Sequence, residues 1–192
     1  MRRNGAIWAA AGLWCAAGCG PAPEKPAAVA PAVEAPAAIA VSGERALEEV
    51  RKFVELGPRD SGTPGAERAA TYLRDRLREL GVEAEIQEFT DLTPVGEMTF
   101  RNVLGRIPGT GGKILLLGSH YDTKVGIEGF VGANDSGSST GLLLELARIL
   151  QAGAPHAMEI RFAFFDGEES RQRYGPNDGF HGSRHLAETM EA

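Results

Sequence analysis

Two hydrophobic periodicities organise the chain after about residue 44. Apolar residues at helical spacing predict helices over residues 44–56, 66–80, 142–150 and 183–191. Shorter apolar or alternating runs predict strands over residues 83–89, 100–107, 114–119 and 159–165. Helices that alternate with buried strands indicate an α/β fold whose functional site lies at the C-terminal ends of the strands. The continuous apolar run over residues 115–118 predicts a central strand of that sheet.

Two adjacent carboxylates, Glu168 and Glu169, follow the last predicted strand in the sequence FAFFDGEE. Side chains alternate along an extended chain, so we expect one carboxylate to face a metal and the other to face a substrate. An isolated pair of glutamates is ordinarily part of a solvated loop. A functional role therefore depends on what the other strand ends carry.

His120, Asp122 and Asp135 occupy two such positions. His120 and Asp122 follow the strand at 114–119, and a carboxylate two residues from a metal-bound imidazole can help to organise its loop. Asp135 lies directly before a predicted helix, where an acid is also an ordinary N-cap. Each residue alone has a structural explanation. Together, His120, Asp135 and Glu169 supply the nitrogen and oxygen donors that suit zinc.

These stretches resemble the zinc aminopeptidases of the bacterial leucyl aminopeptidase type and the glutaminyl cyclases that share their fold. The matching segments occur in the family's order at residues 120–122, 132–135 and 166–169. The resemblance covers most of the chain after about residue 46. It implies a three-layer α/β/α, zinc-exopeptidase-like fold with a mostly parallel mixed sheet.

The resemblance also implies a role for each candidate residue. Asp135 and Glu169 would be zinc ligands, and Glu168 would be the general acid/base. His120 would be a ligand only if two metals bind or if it substitutes for another ligand. Asp122 would be a supporting residue.

Three further stretches resemble the cyclase branch in particular. They lie at residues 93–102, 121–124 and 178–187. On this resemblance Asp178 is a supporting residue, and Tyr174 occupies the place where cyclases carry a tryptophan that lines the substrate pocket. The family's last metal-binding histidine and a proton-handling aspartate lie beyond Ala192. We therefore expect residues 44–192 to be a catalytic domain whose C-terminal part is missing.

Two reactions on peptide N-termini are compatible with these residues. In a cyclase, zinc polarises the γ-carboxamide of an N-terminal glutamine, and Glu168 passes a proton from the α-amine to departing ammonia. In an aminopeptidase, Glu168 activates a water for attack on the first peptide bond, and His120 completes a two-metal site with Asp135. The cyclase-like stretches favour the first reaction, whereas residues 137–139 are more typical of the peptidases.

Two alternatives to an enzyme of this family are a non-catalytic domain and a nucleotide-binding domain. A non-catalytic domain would keep the fold but lack the C-terminal ligands. Such a domain would bind zinc weakly or not at all. A nucleotide-binding loop is disfavoured because residues 132–141 contain neither Gly-x-Gly-x-x-Gly nor the Walker lysine. An acid also stands where phosphate would bind.

The N-terminal segment has the character of a signal peptide. Arg2 and Arg3 precede an apolar run over residues 6–14 that is too short to span a bilayer. Residues 16–19 resemble a bacterial lipoprotein signal, so we expect residues 1–19 to end in a lipidated Cys19. The protein would then be anchored at the periplasmic or extracellular face of the cell envelope. Plain secretion and a Cys15–Cys19 disulfide are the alternatives.

The composition limits what else the chain can be. Residues 20–43 are rich in alanine and proline, which predicts a semi-extended tether. The 192 residues, with 43% hydrophobic content, suffice for one folded domain. The net charge of −6 and the lack of a Lys/Arg cluster argue against a nucleic-acid surface, and we expect peptide or protein N-termini as partners. No cysteine follows Cys19, so a metal site must use histidine and carboxylates.

Overall fold

The computed structural model describes residues 40–191, and their elements follow the predicted order. The helices are α1 (Gly43–Val54), α2 (Pro64–Glu79), α3 (Ser139–Ala152) and α4 (His181–Glu191). The strands are β1 (Glu83–Thr93), β2 (Gly96–Ile107), β3 (Ile114–His120) and β4 (Glu159–Phe165). The prediction of an α/β fold is therefore confirmed.

The four strands form one mixed sheet in the order β1-β2-β4-β3. β1 pairs antiparallel with β2, and β2 pairs antiparallel with β4. Only β3 and β4 are parallel among the described strands. The expectation of a mostly parallel sheet is thus wrong for residues 40–191. The reason is the long hairpin of β1 and β2, whose short turn can join antiparallel neighbours only.

The sheet carries helices on both of its faces. Phe162 of β4 packs with Leu77 of α2 and Leu144 of α3 in the hydrophobic core. Val103 of β2 belongs to the same core. Because side chains alternate along a strand, its neighbour Leu104 faces the opposite side of the sheet, where it lines a cavity with Leu186 of α4. The helices on the two faces agree with the predicted three-layer arrangement.

Strand β3 does not occupy the central position that its apolar run predicted. It lies at one edge of the described sheet, paired with β4 alone, and β2 and β4 are the interior strands. Ile114, Leu115 and Leu116 are exposed at this edge. Apolar residues on both faces of a strand indicate its tendency to be covered, but they do not specify its position in the strand order.

Local capping explains where the first two helices begin. The Ser42 side chain accepts a hydrogen bond from the Arg45 N–H at the start of α1. Thr63 caps α2 in the same way, and Pro64 occupies the first turn, where a missing N–H costs nothing. Both helices begin within two residues of the predicted positions.

The predicted signal peptide, Cys19 and almost all of the predicted tether lie outside the described residues. The tether was expected to extend to residue 43, but Ser42 and Gly43 already belong to the start of α1. Between residues 40 and 191, no helix combines the length and the apolar character that a bilayer crossing needs.

Candidate metal and catalytic site

The predicted site residues converge at the C-terminal ends of β3 and β4. These strands are parallel and in register, with His120 beside Phe165, so the segments that follow them leave the sheet at the same edge. His120 and Asp122 come from the end of β3, and Glu168 and Glu169 come from the loop after β4.

His120 contacts three carboxylates. Its Nε2 lies 2.9 Å from Asp135 Oδ1 and 3.9 Å from Glu168 Oε2, and its Nδ1 lies 3.3 Å from Asp122 Oδ1. Burial disfavours the charged imidazole, but the hydrogen bond with Asp122 and the three negative charges prevail and raise the pKa of His120 to about 9. The ring is therefore held in place from both of its nitrogens.

Asp122 connects the two strand ends through its carboxylate. The side chain is only 1% exposed. Its Oδ1 accepts the backbone N–H of Glu168 at 3.2 Å, and its Oδ2 accepts the backbone N–H of Glu169 at 3.1 Å. Asp122 thus fixes the backbone of both glutamates as well as the ring of His120, which is a larger role than organising its own loop.

The two adjacent glutamates have different surroundings, as their alternation predicted. Glu168 faces His120, whereas Glu169 Oε2 lies 3.5 Å from Lys124 Nζ and 3.4 Å from the Tyr174 hydroxyl. Burial raises the pKa of Glu168; the charge of His120 opposes this shift, and the nearby carboxylates add to it. A raised pKa makes a carboxyl group better suited to hold and donate a proton than an ordinary exposed glutamate.

Asp135 lies in an irregular turn over residues 133–138 that leads into α3. Gly132 begins this turn with φ +50°, and a Cβ atom at that position would stand 2.3 Å from the carbonyl oxygen of Asp135. Glycine is therefore required for the turn that presents Asp135 beside His120. The Asp135 carboxylate is exposed and open to solvent.

Tyr174 and Asp178 share the loop between Glu169 and α4. The Asp178 carboxylate accepts backbone N–H groups from Arg171, Gln172 and Arg173 at 2.5–2.8 Å. Burial opposes ionisation, yet these three bonds lower the pKa of Asp178. Asp178 therefore shapes the loop that brings the Tyr174 ring next to Glu169.

Three residues outside the predicted set also build the site. Ser61 donates a hydrogen bond to the buried Asp166 at 2.6 Å and lies 3.4 Å from Asp122 Oδ2. Arg59 is fully buried and donates to the carbonyl oxygens of Tyr121 and Val131, so it ties together the loop after β3. Its sequence neighbourhood indicated only a turn, because its partners lie more than 60 residues away.

The donor set is compatible with a metal ion, although its side chains hold one another in the described structure. Over residues 40–191 no group of three or more His, Cys, Asp or Glu side chains has a metal-binding arrangement. His120 Nε2 nevertheless lies within 4 Å of carboxylate oxygens of both Asp135 and Glu168, whereas the predicted ligand Glu169 pairs with Lys124. Such donors suit zinc.

Comparisons with known proteins point to the family that the sequence motifs resemble. Residues 102–192 match peptidase family M28. The chain is 39% identical over 145 residues to a glutaminyl-peptide cyclotransferase-like protein of Bos taurus, covering 70% of this chain and 38% of that protein. It is 35% identical over 139 residues to a glutaminyl-peptide cyclotransferase of Drosophila melanogaster, covering 69% and 39%.

Solved structures show the same relationship. A glutaminyl cyclase of an Acidobacteriales bacterium superposes with a TM-score of 0.73 at 34% identity, covering 88% of this chain and 57% of that one. A leucine aminopeptidase precursor of Bacteroides thetaiotaomicron gives 0.69 at 25% identity, covering 78% and 57%. The chain thus spans 38–39% of the length of the two curated relatives named above. The family resemblance inferred from residues 120–122, 132–135 and 166–169 is confirmed.

Proposed function

Because the chain is related to the M28 peptidases and the glutaminyl cyclases, we propose that it acts on peptide N-termini as a zinc-dependent glutaminyl-peptide cyclotransferase. The observation that carries this proposal is the position of Glu168. Its carboxylate lies beside His120, and its backbone is fixed by the same Asp122 that fixes Glu169. One buried residue thereby sets the geometry of a proton-transfer group and of a metal-ligand candidate.

Asp135 and Glu169 are the residues that would hold zinc, with His120 as a further donor. The exposed Asp135 carboxylate and the 2.9 Å distance between its Oδ1 and His120 Nε2 support this assignment. Glu169 forms an ion pair with Lys124 at 3.5 Å, and this pair would have to loosen for metal binding. When bound, zinc would act as a Lewis acid on the γ-carboxamide of an N-terminal glutamine.

Glu168 would carry the proton. The substrate's α-amine attacks its own γ-carboxamide carbon, so a C–N bond forms in the ring and the bond to the amide nitrogen breaks. Glu168 accepts the proton that the α-amine loses and delivers it to the departing nitrogen, which leaves as ammonia. The nucleophile is part of the substrate, so orientation supplies much of the rate and no activated water is consumed.

We also propose that Cys19 is lipidated and anchors the protein at the cell envelope. The proposal depends on the small residues at 16–18 and on the Ala/Pro-rich segment that follows. An acyl anchor supplies membrane affinity and the tether supplies reach.

Peptides that begin with Gln-x or Leu-x distinguish the cyclase from its peptidase relatives. A full-length form of the protein, purified and supplemented with zinc, should convert the Gln peptide with release of one ammonia and no chain cleavage, as read by mass spectrometry. It should leave the Leu peptide intact. Release of free leucine without ammonia would establish the aminopeptidase instead, and no turnover of either peptide would favour a non-catalytic domain.

Variants of the two glutamates test their separate roles. Glu168→Gln should keep zinc but lose on the order of 10² to 10⁴ in rate, the usual contribution of a general acid/base group. Glu169→Gln should lose zinc as well. The control is Glu67→Gln, which alters an exposed carboxylate in the first turn of α2 and should change neither quantity. Near-normal turnover by Glu168→Gln would contradict its assignment.

A further inference from the structure

Phe180 has a backbone conformation that is unfavourable for its residue type. Its φ is +56°, and Gly179 before it has φ +81°, so two consecutive residues lie in the left-handed region. Glycine adopts this region freely, whereas a bulky side chain does so at a cost. Such an outlier is a reason to look for a functional constraint.

Hydrogen bonds on both sides fix the Phe180 backbone. Its N–H donates to the carbonyl oxygen of Glu168 at 3.0 Å, and its own carbonyl oxygen accepts the N–H of Arg184 at 3.1 Å. Phe180 therefore joins the loop of the proposed proton carrier to the first turn of α4. These two attachments hold the backbone from which its side chain departs.

The Phe180 ring is presented to solvent together with Tyr174. The two rings are stacked with centroids 4.9 Å apart, and their side chains are 43% and 47% exposed. Gly179 permits this approach, because a Cβ atom there would stand 2.5 Å from the Tyr174 ring. An exposed aromatic pair that keeps a strained backbone is not explained by core packing.

The pair is continuous with the proposed catalytic site. The Tyr174 hydroxyl lies 3.4 Å from Glu169 Oε2, and Lys124 Nζ lies 5.6 Å from the centre of the Tyr174 ring. The Phe180 ring stacks on the Tyr174 ring, so an apolar surface continues from the residue beside Glu169 to Phe180. Successive Cα atoms of a peptide are about 3.8 Å apart. The second residue of a substrate would therefore lie next to the reacting glutamine, within reach of this aromatic pair.

We propose that Phe180 and Tyr174 form an apolar subsite for the second residue of the peptide, and that Phe180 makes the enzyme prefer an aromatic side chain there. The proposal rests on the proposed function, since it names the substrate class of the same site. Offset stacking of a third ring on the pair would favour aromatic over small second residues by about two- to tenfold.

The test compares Gln-Phe-amide with Gln-Gly-amide. The wild-type protein should show a kcat/KM ratio of about two to ten in favour of Gln-Phe-amide, and Phe180→Gly should bring the ratio to near one. Glycine suits a φ of +56°, so this variant removes the ring without adding backbone strain. Phe180→Tyr should restore the ratio, and Leu47→Ala, which alters an exposed apolar residue of α1, should preserve it.

Binding measurements separate this inference from the reaction itself. The dissociation constants of both amides are measured by calorimetry on Glu168→Gln, with and without Phe180→Gly. Failure of the wild-type protein to release ammonia would refute the cyclase proposal, while the ratio of dissociation constants would still decide the role of Phe180. Equal ratios with and without the ring, or a lower melting temperature in Phe180→Gly with the ratio unchanged, would show a structural role and overturn the inference.

Discussion

Replacement of Asp166 by asparagine should change how the stability of this protein depends on pH. Asp166 is fully buried, and its neighbour Asp122 is 1% exposed. Burial and the charge of Asp122 raise the pKa of Asp166 to about 7, even though Ser61 and the Arg101 N–H donate hydrogen bonds to its two oxygens. Below about pH 7, the native state therefore favours the protonated form of Asp166 over the carboxylate.

The raised pKa of Asp166 determines both the direction and the size of its effect on the free energy of unfolding. The folded pKa of about 7 lies above the ordinary value of 3.8, so the folded state binds more protons than the unfolded state between these values. The stabilisation is complete below pH 3.8 and is lost as the pH rises through 7. A difference of about three pKa units corresponds to at most about 4 kcal/mol in the free energy of unfolding.

Asparagine reproduces the neutral acid and cannot ionise. Its oxygen can accept the Arg101 N–H, and its amide can donate to Ser61, which leaves one amide hydrogen without a partner. That unpaired hydrogen costs about 1–3 kcal/mol at every pH. This constant cost is part of the difference in the free energy of unfolding between Asp166→Asn and the wild type. The change in that difference from pH 5 to pH 8 therefore reports the ionisation of Asp166 alone.

Urea unfolding at pH 5, 6, 7 and 8 in the presence of a chelator measures this difference. Asp166→Asn should gain stability relative to the wild type as the pH rises, by about 1–3 kcal/mol over the range, because only the part of the shift between pH 5 and 7 falls within it. Asp75→Asn is the control, because Asp75 is exposed and its pKa is lowered by the hydrogen bond with Arg74. Parallel curves for Asp166→Asn and the wild type would refute the argument.

Three further substitutions test other parts of the molecule. Asp135→Ala should reduce zinc content severely with an unchanged circular dichroism spectrum, because its exposed carboxylate is a proposed ligand; wild-type metal content would place the site elsewhere. Gly132→Ala should lower the free energy of unfolding by about 1–3 kcal/mol, because the added Cβ meets a backbone oxygen at positive φ. A negligible loss in urea unfolding would contradict that requirement. Cys19→Ala should move the protein from the membrane to the soluble fraction of a bacterial host, and unchanged fractionation would exclude lipid anchoring there.

Hydrophobic periodicity predicted the bounds of an element best where one buried face sets the pattern of apolar residues. β4 has the predicted bounds of residues 159–165, because its apolar residues are buried by both neighbouring strands and by α3. β1 was predicted to end at residue 89 but continues to Thr93. The additional residues pair with β2 through backbone hydrogen bonds, and hydrophobic periodicity does not report such pairing.

The site was predictable in its residue types but not in its connections. The position of Glu168 and Glu169 after a buried strand predicted two roles; the two side chains have different neighbours in the structure, and the roles themselves stay predictions. The link from Ser61 to Asp166 spans 105 residues, and only the folded chain brings these two side chains together. Phe180 gave no signal at all, since a positive φ at a phenylalanine is a property of its tertiary environment.

Asp122 explains how two residues that are adjacent in sequence acquire different chemistry. A carboxylate that is 1% exposed would be costly without hydrogen bonds, and it obtains them from the backbone N–H groups of Glu168 and Glu169 and from His120. The same bonds fix the backbone from which both glutamate side chains depart in different directions. Glu168 therefore meets His120 while Glu169 meets Lys124, and the separation does not depend on the flexible side chains themselves. The cost of burying one carboxylate is in this way offset by bonds that also define where the proton carrier and the metal ligand stand.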